Sequence, residues 1–146
     1  MTKVSDDPFD LERFVQAQEG VYERALAEIQ AGEKRTHWMW FIFPQALGLG
    51  FSPMSQRYGI RSLDEARAYL AHPLLGARLR ACFEALLALQ GRSAHQIFGS
   101  PDDWKLRSCA TLFALVSPPD SLFHQVLEKY FEGQMDEKTL ILMNKS

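Results

Sequence analysis

Apolar residues recur along this chain at helical spacing, and each break in the spacing carries a proline, a glycine or a capping residue. Asp7-Pro8 sets a first helix start, with an acceptor side chain at the cap and proline in the first turn. Phe14, Val15, Val21, Tyr22, Ala25, Leu26 and Ile29 then follow one face, and Glu12, Arg13, Glu23 and Arg24 supply the wet one. Gly20 weakens this helix without breaking it, and Gly32 ends it. Thr36-His37-Trp38-Met39-Trp40-Phe41-Ile42-Phe43 is apolar almost throughout. A buried strand competes for that stretch, but no partner strand is visible, so a short helix with Thr36 as cap and Pro44 as stop is preferred.

Ser62-Leu63-Asp64-Glu65 is a capping box that opens a helix to about Ala71. His72-Pro73 interrupts it, because the residue before proline avoids helical angles. Leu74, Leu75, Leu79, Cys82, Phe83, Leu86, Leu87 and Leu89 make the next apolar stripe, ended by Gly91. Ser93-Ala94-His95-Gln96 is a second capping box, closed one turn later by Gly99, and Ser100-Pro101-Asp102-Asp103 repeats the device. The helix behind it carries Trp104, Leu106, Cys109, Leu112, Phe113 and Val116. Pro118-Pro119 separates the stripe of Leu122, Phe123, Val126, Leu127, Tyr130 and Phe131, which stops at Gly133, and Asp136 caps a last helix reaching about Met143. No segment sustains period-two alternation. The pattern predicts an all-α fold: a single compact domain over 7–143, six to eight helices in an orthogonal or irregular bundle, behind a flexible tail at 1–6.

Composition narrows the classes. The chain has 146 residues, enough for a substantial core without staples, and 47% hydrophobic against 23% charged residues excludes intrinsic disorder. A formal net charge of -2 with mixed signs gives no basic face for a phosphate backbone, so nucleic acid is not an expected partner. The longest apolar run, Trp38 to Phe43, is too short to span a bilayer, and the first residues show no apolar signal core, which points away from the membrane and to the cytoplasm. Cys82 and Cys109 lie far apart inside apolar segments and read as buried free thiols.

Candidate chemistry concentrates in two places. The first is the aromatic segment and the glycine-rich stretch after it. His37 is a candidate general acid or base, the role to which the imidazole side chain is suited, against the plain alternative of a satisfied core histidine. Trp40 is a candidate stacking platform, with core packing as its alternative. Gln45, Gly48 and Gly50 begin an irregular loop in which glycines let a backbone approach a ligand closely. The second place is the helix start with Asp102, Asp103, Lys105, Arg107, Ser108 and Thr111. Asp103 is a candidate base or hydroxyl acceptor, Lys105 a phosphate contact and Ser108 a further ligand contact, although carboxylates in a first turn are also explained by the helix dipole. Arg78 stands on an apolar stripe and calls for a carboxylate, such as Glu65, or an anionic ligand. His72 and His95 read as helix-junction residues and His124 as a surface residue. The four histidines lack partners at ligand spacing, so no metal site and no cofactor is expected.

The chain resembles a widespread bacterial family of unknown function that is often mislabelled "calpastatin". The resemblance spans nearly the whole chain and rests on His37-Trp38-Met39-Trp40-Phe41-Ile42-Phe43-Pro44-Gln45, then Gly48-Leu49-Gly50, then Glu65-Ala66, Tyr69-Leu70 and His72-Pro73. Arg78-Leu79, Ile97-Phe98-Gly99, Asp102-Asp103, Lys105, Ser108 and Thr111-Leu112-Phe113 continue it, with Trp104 as the one departure from a smaller apolar residue. The resemblance implies a mainly helical fold and brings no activity with it. The label conflicts with composition, because calpain-inhibitor segments are disordered and polar whereas this chain has the makings of a core.

Two functional expectations follow. One is a site for a small phosphate-bearing metabolite, a nucleotide or an ADP-ribose-like compound, which the protein binds or hydrolyses. In it Trp40 stacks, Lys105 and Arg78 meet the anion, and His37 or Asp103 handles protons. The other is a non-catalytic interaction or structural domain, a homodimer, in which the same motifs serve only the core.

Overall fold

A computed structural model of the chain describes residues 7–144; the tail expected at 1–6 lies outside them. Among the described residues ten helices form in chain order: α1 (Glu12–Gln18), α2 (Tyr22–Gln30), α3 (Met39–Ile42), α4 (Pro53–Arg57), α5 (Leu63–Ala71), α6 (Leu75–Ala88), α7 (Ala94–Phe98), α8 (Asp102–Ala114), α9 (Leu122–Phe131) and α10 (Glu137–Asn144). The fold is all-α, with more helices than the six to eight expected, for two local reasons. Gly20 adopts φ 73° and divides the first apolar stripe into α1 and α2 instead of merely weakening it. The irregular stretch after Pro44 contains α4, which Ser52 caps by accepting from the Ser55 N–H, with Pro53 in the first turn.

Several start signals act differently from their pattern. Asp7 does cap α1, but from a distance: its two carboxylate oxygens accept from the N–H groups of Leu11 and Glu12 at 2.7 and 3.0 Å. Thr36 does not cap α3, which begins only at Met39. Ser62 accepts from the Glu65 N–H, but the Glu65 carboxylate turns to Arg13 and Arg61, which leaves the box half-formed. Ser93 and Gln96 complete a reciprocal capping box. His72 fills its junction role by accepting from the N–H groups of Leu74 and Leu75 at α6.

The aromatic segment is core. Trp38, Met39, Phe41, Ile42 and Phe43 are all buried. Their rings join a continuous chain of contacts: Phe41 to Tyr58, Phe14, Tyr69, Phe113, Phe123, Phe83, Phe43 and then Phe98, with neighbouring centroids 4.8–5.8 Å apart. Such tilted and edge-on pairs add to the area that the rings bury. Helix α8 runs beside this chain and packs against α9, α7, α10 and α5. Both thiols are buried in the same core, and burial pushes Cys82 up to about 12, which leaves it unreactive.

Two buried carboxylates hold the irregular segments to this core. Glu28 accepts from the Arg35 and Thr36 backbone N–H groups, the Thr36 hydroxyl and the Trp38 indole N–H, at 2.7 to 3.2 Å. Burial by itself raises its pKa, but these bonds outweigh burial and hold it at about 2. Glu65, fully buried, accepts from the Arg13 guanidinium at 2.8 Å. Arg13, expected on the wet face, is itself buried, and its remaining N–H groups reach the carbonyls of Phe9, Asp10, Arg57 and Gly59. That clamp sits at the far end of the loop, where Leu47 N–H donates to Ile60 and Ile60 N–H to Gln45 in a short parallel bridge.

Helices α5 and α6 approach so closely that a Cβ on Gly76 would stand 2.2 Å from the Leu70 carbonyl oxygen. Alanine in a helix interior is ordinarily favoured over glycine by about 1 kcal/mol. Here the clash with backbone should win, and Gly76→Ala is expected to lose about 1–3 kcal/mol. A thermal melt that rises in this variant would show that the two helices separate at no cost.

Candidate functional site

The residues expected to form one site fall into separate places. Trp40, Gly50 and Lys105 do come together. The Lys105 ammonium lies 4.8 Å from the centre of a Trp40 ring, and a Cβ on Gly50 would stand 3.2 Å from the edge of the same indole. Lys105 also pairs with Asp102 at 3.2 Å, and Asp102 takes Lys34 on its other oxygen at 3.0 Å. Lys34 in turn lies over Trp38 and donates to the Thr36 carbonyl. This ladder of two lysines on one carboxylate braces the aromatic segment against α8, and its charges already have partners.

The other candidates lie elsewhere. His37 precedes α3 instead of lying inside the helix expected from Thr36; its ring is exposed and makes no hydrogen bond among the described residues. Arg78 donates to Gln18 Oε1 and stacks on Tyr22 at 4.7 Å. Its expected partner Glu65 is occupied by Arg13 and Arg61. Gln45 is buried at the loop bridge and Gly48 faces Leu142 of α10. Ser108 is buried and donates to the Trp104 carbonyl within its own helix.

Asp103 occupies a different flank of α8 from Asp102 and Lys105, since successive helical residues diverge by about 100°. It lines a cavity of about 270 Å³ between α7, α8 and α9, together with His95, Trp104, Arg107, Tyr130 and Phe131. His95 Nδ1 stands 3.4 Å from Asp103 Oδ2 and 3.3 Å from the Ser100 hydroxyl. A nucleophilic relay would need the serine on the opposite ring nitrogen from the carboxylate. Both groups here share Nδ1, so the arrangement is a His–Asp dyad whose Nε2 is left to accept or deliver a proton. The Ser100–Asp103 capping box expected from the sequence does not form; the Ser100 hydroxyl reaches Asp103 Oδ1 at 3.5 Å, and no side chain caps α8.

Arg107 gives this cavity its positive charge. Its guanidinium stacks on Trp104 at 4.3 Å and forms an ion pair with Asp136 Oδ1 at 3.8 Å, a separation beyond hydrogen-bond length. Among the described residues the guanidinium makes no hydrogen bond, and its buried Nε lacks a partner. Trp104 is 56% exposed, so the stacked pair forms a wall rather than part of the core. No group of three or more His, Cys, Asp or Glu among the described residues is placed to hold a metal ion. None of the helices there is long and apolar enough to cross a membrane.

A family model described as "Protein of unknown function (DUF1810)" matches residues 8–143, which takes in nearly every helical residue. The chain belongs to the DUF1810 family. The crystal structure of the conserved hypothetical protein Rv1873 from Mycobacterium tuberculosis is similar to it at 53% identity, with a TM-score of 0.92, over 94% of this chain and 99% of that one. No curated protein matches the chain significantly. Within this DUF1810 chain, the sequence pattern hides His95 as a partner of Asp103, because its capping-box position explains it locally. The usable signal is the intervening Gly99-Ser100-Pro101, a turn that folds residue 95 back onto residue 103.

Proposed function

We propose that this protein binds a small phosphate-bearing metabolite in the α7–α8–α9 cavity, with the His95–Asp103 dyad positioned for proton transfer in its hydrolysis. The observation that carries the reading is Arg107, a cation held by stacking on Trp104 and a long ion pair with Asp136, with no hydrogen bond on its guanidinium, on the wall of a cavity that also holds an acid–base pair. A guanidinium with unfilled donors is suited to a phosphoryl group, while Trp104, Tyr130 and Phe131 supply the apolar wall that small-molecule sites need. The cavity volume lies below the ~300 Å³ at which drug-sized sites begin, which favours a monophosphate over a complete ADP-ribose.

The test is a thermal-shift series with AMP, ribose 5-phosphate and ADP-ribose. A ligand at about a hundred times its dissociation constant should stabilise the fold by roughly 2.7 kcal/mol. The shift is expected to vanish in Arg107→Gln, whereas His95→Asn should bind normally and fail to turn the ligand over. An undiminished shift in folded Arg107→Gln would move the site elsewhere. A second reading, the non-catalytic interaction domain, is favoured by Phe51, 84% exposed on the loop that also carries the exposed Leu47 and Met54. A flat screen would shift the weight to it.

A further inference from the structure

A separate cavity of about 250 Å³ lies where α1, α4 and the end of the irregular loop meet, lined by Asp10, Arg13, Gln56, Arg57, Gly59 and Arg61. Three guanidiniums in one small cavity are unfavourable unless something neutralises them. Arg13 forms the floor, and its five N–H donors are taken by four carbonyls and Glu65. It contributes potential and position, but no donor for a ligand. Arg61 binds Glu65 through Nε and the Phe9 carbonyl through one terminal nitrogen, which leaves the other terminal nitrogen without a partner among the described residues. There Arg57 donates only through Nε, to the Tyr58 hydroxyl, and rests on that ring at 5.5 Å, so both its terminal nitrogens are free. Its backbone carbonyl is held by Arg13, which fixes where the side chain starts.

Asp10 completes the arrangement. It lines the same cavity, yet it forms no ion pair with Arg57 or Arg61 among the described residues. With Glu65 counted against Arg13, the cavity keeps an excess of positive charge: two arginines against one carboxylate. A volume of about 250 Å³ is large enough for a tetrahedral oxyanion.

We propose that this cavity is a second anion site, in which the terminal nitrogens of Arg57 and Arg61 bind a phosphoryl group and Asp10 limits its affinity. It shares no lining residue with the α7–α8–α9 cavity, so either site stands if the other fails. The forked donors of arginine match two oxygens of a phosphate at once, which a lysine at these positions would not do. Asp10 has a distinct role: at φ 52° it occupies the left-handed region that aspartate and asparagine tolerate, so the carboxylate can be neutralised without disturbing the backbone.

The experiment is calorimetric titration with inorganic phosphate at constant ionic strength, with chloride as the balancing salt. It is carried out in the Arg107→Gln background, which silences the other cavity. Saturable binding is expected there. Adding Arg57→Gln should weaken it at least about tenfold, the scale of one lost charge-assisted contact. Adding Asp10→Asn should tighten it several-fold by removing the opposing charge. Arg57 and Asp10 are both exposed, so the circular dichroism of each variant should match that of its parent. Absence of saturable binding, full affinity in the Arg57→Gln variant or weaker binding in the Asp10→Asn variant would each overturn the proposal.

Discussion

Glu28→Ala is expected to destabilise the protein by about 3–5 kcal/mol, because it leaves four donors at the edge of the core without an acceptor. The Trp38 indole and the Thr36 hydroxyl would lose the partner that fixes the turn leading into α3, and the ring chain begins next to that turn. The same carboxylate makes stability depend on pH. Its folded pKa of about 2 lies below the ordinary value of 4.5, so the charged form is favoured by the fold. The contribution is therefore complete above about pH 4.5 and is lost as pH falls toward 2. A carboxylate held down this far contributes on the order of 3 kcal/mol. Chemical denaturation of the wild type and Glu28→Gln between pH 6 and pH 3 reads this directly. The wild type should lose stability faster across that interval, and parallel curves would remove Glu28 as the cause.

Arg13→Met should cost about 3–5 kcal/mol, the usual range for breaking a buried ion pair. Glu65→Gln should be milder, because the amide oxygen keeps one acceptor for Arg13 or Arg61. Replacing a buried pair by hydrophobic residues is often harmless, but that rule should fail here. Arg13 also satisfies four carbonyls, and combining Arg13→Met with Glu65→Leu would leave all four without their donor. The double variant is accordingly expected to remain well below the wild type. The damage should be local first: amide exchange at Ile60 and Leu47, the two donors of the loop bridge, should accelerate more than exchange in α8 or α9. A double variant restored to wild-type stability would show that the carbonyls find other partners.

Both predictions concern groups whose role helical periodicity hides. Arg13 lies among acidic and basic neighbours with the spacing of a wet face. Periodicity is a statement about one helix, and it has no view of the Arg57 and Gly59 carbonyls that arrive from more than forty residues away. Glu28 has the same character: its partners follow within ten residues, but only after Gly32 turns the chain back at φ 78°. Gly20 departs from its pattern for a simpler reason. Propensity assigns a glycine in a helix a small cost, whereas the chain uses its left-handed conformation to redirect α2.

The candidate site shows the same division. Asp103 and Arg107 are visible in the sequence as part of a polar helix start, and Lys105 pairs with Asp102 as helical spacing requires. The expected grouping of Asp103 with His37, Trp40 and Lys105 does not form, since Asp102 and Asp103 are adjacent in sequence yet face different flanks of α8. Adjacency along a chain and adjacency on a helix are different quantities.

What the sequence determined by itself is the helical class, the positions of most helix ends and the burial of the apolar stripes. These depend on local backbone preference and on the period at which apolar side chains return to one face. What only the tertiary structure decided is which polar groups meet: Glu28 with the α3 turn, Arg13 with the loop carbonyls, and His95 with Asp103. Hydrogen bonds and ion pairs act over a few ångströms and depend on direction, so they are settled by how the helices are placed against one another.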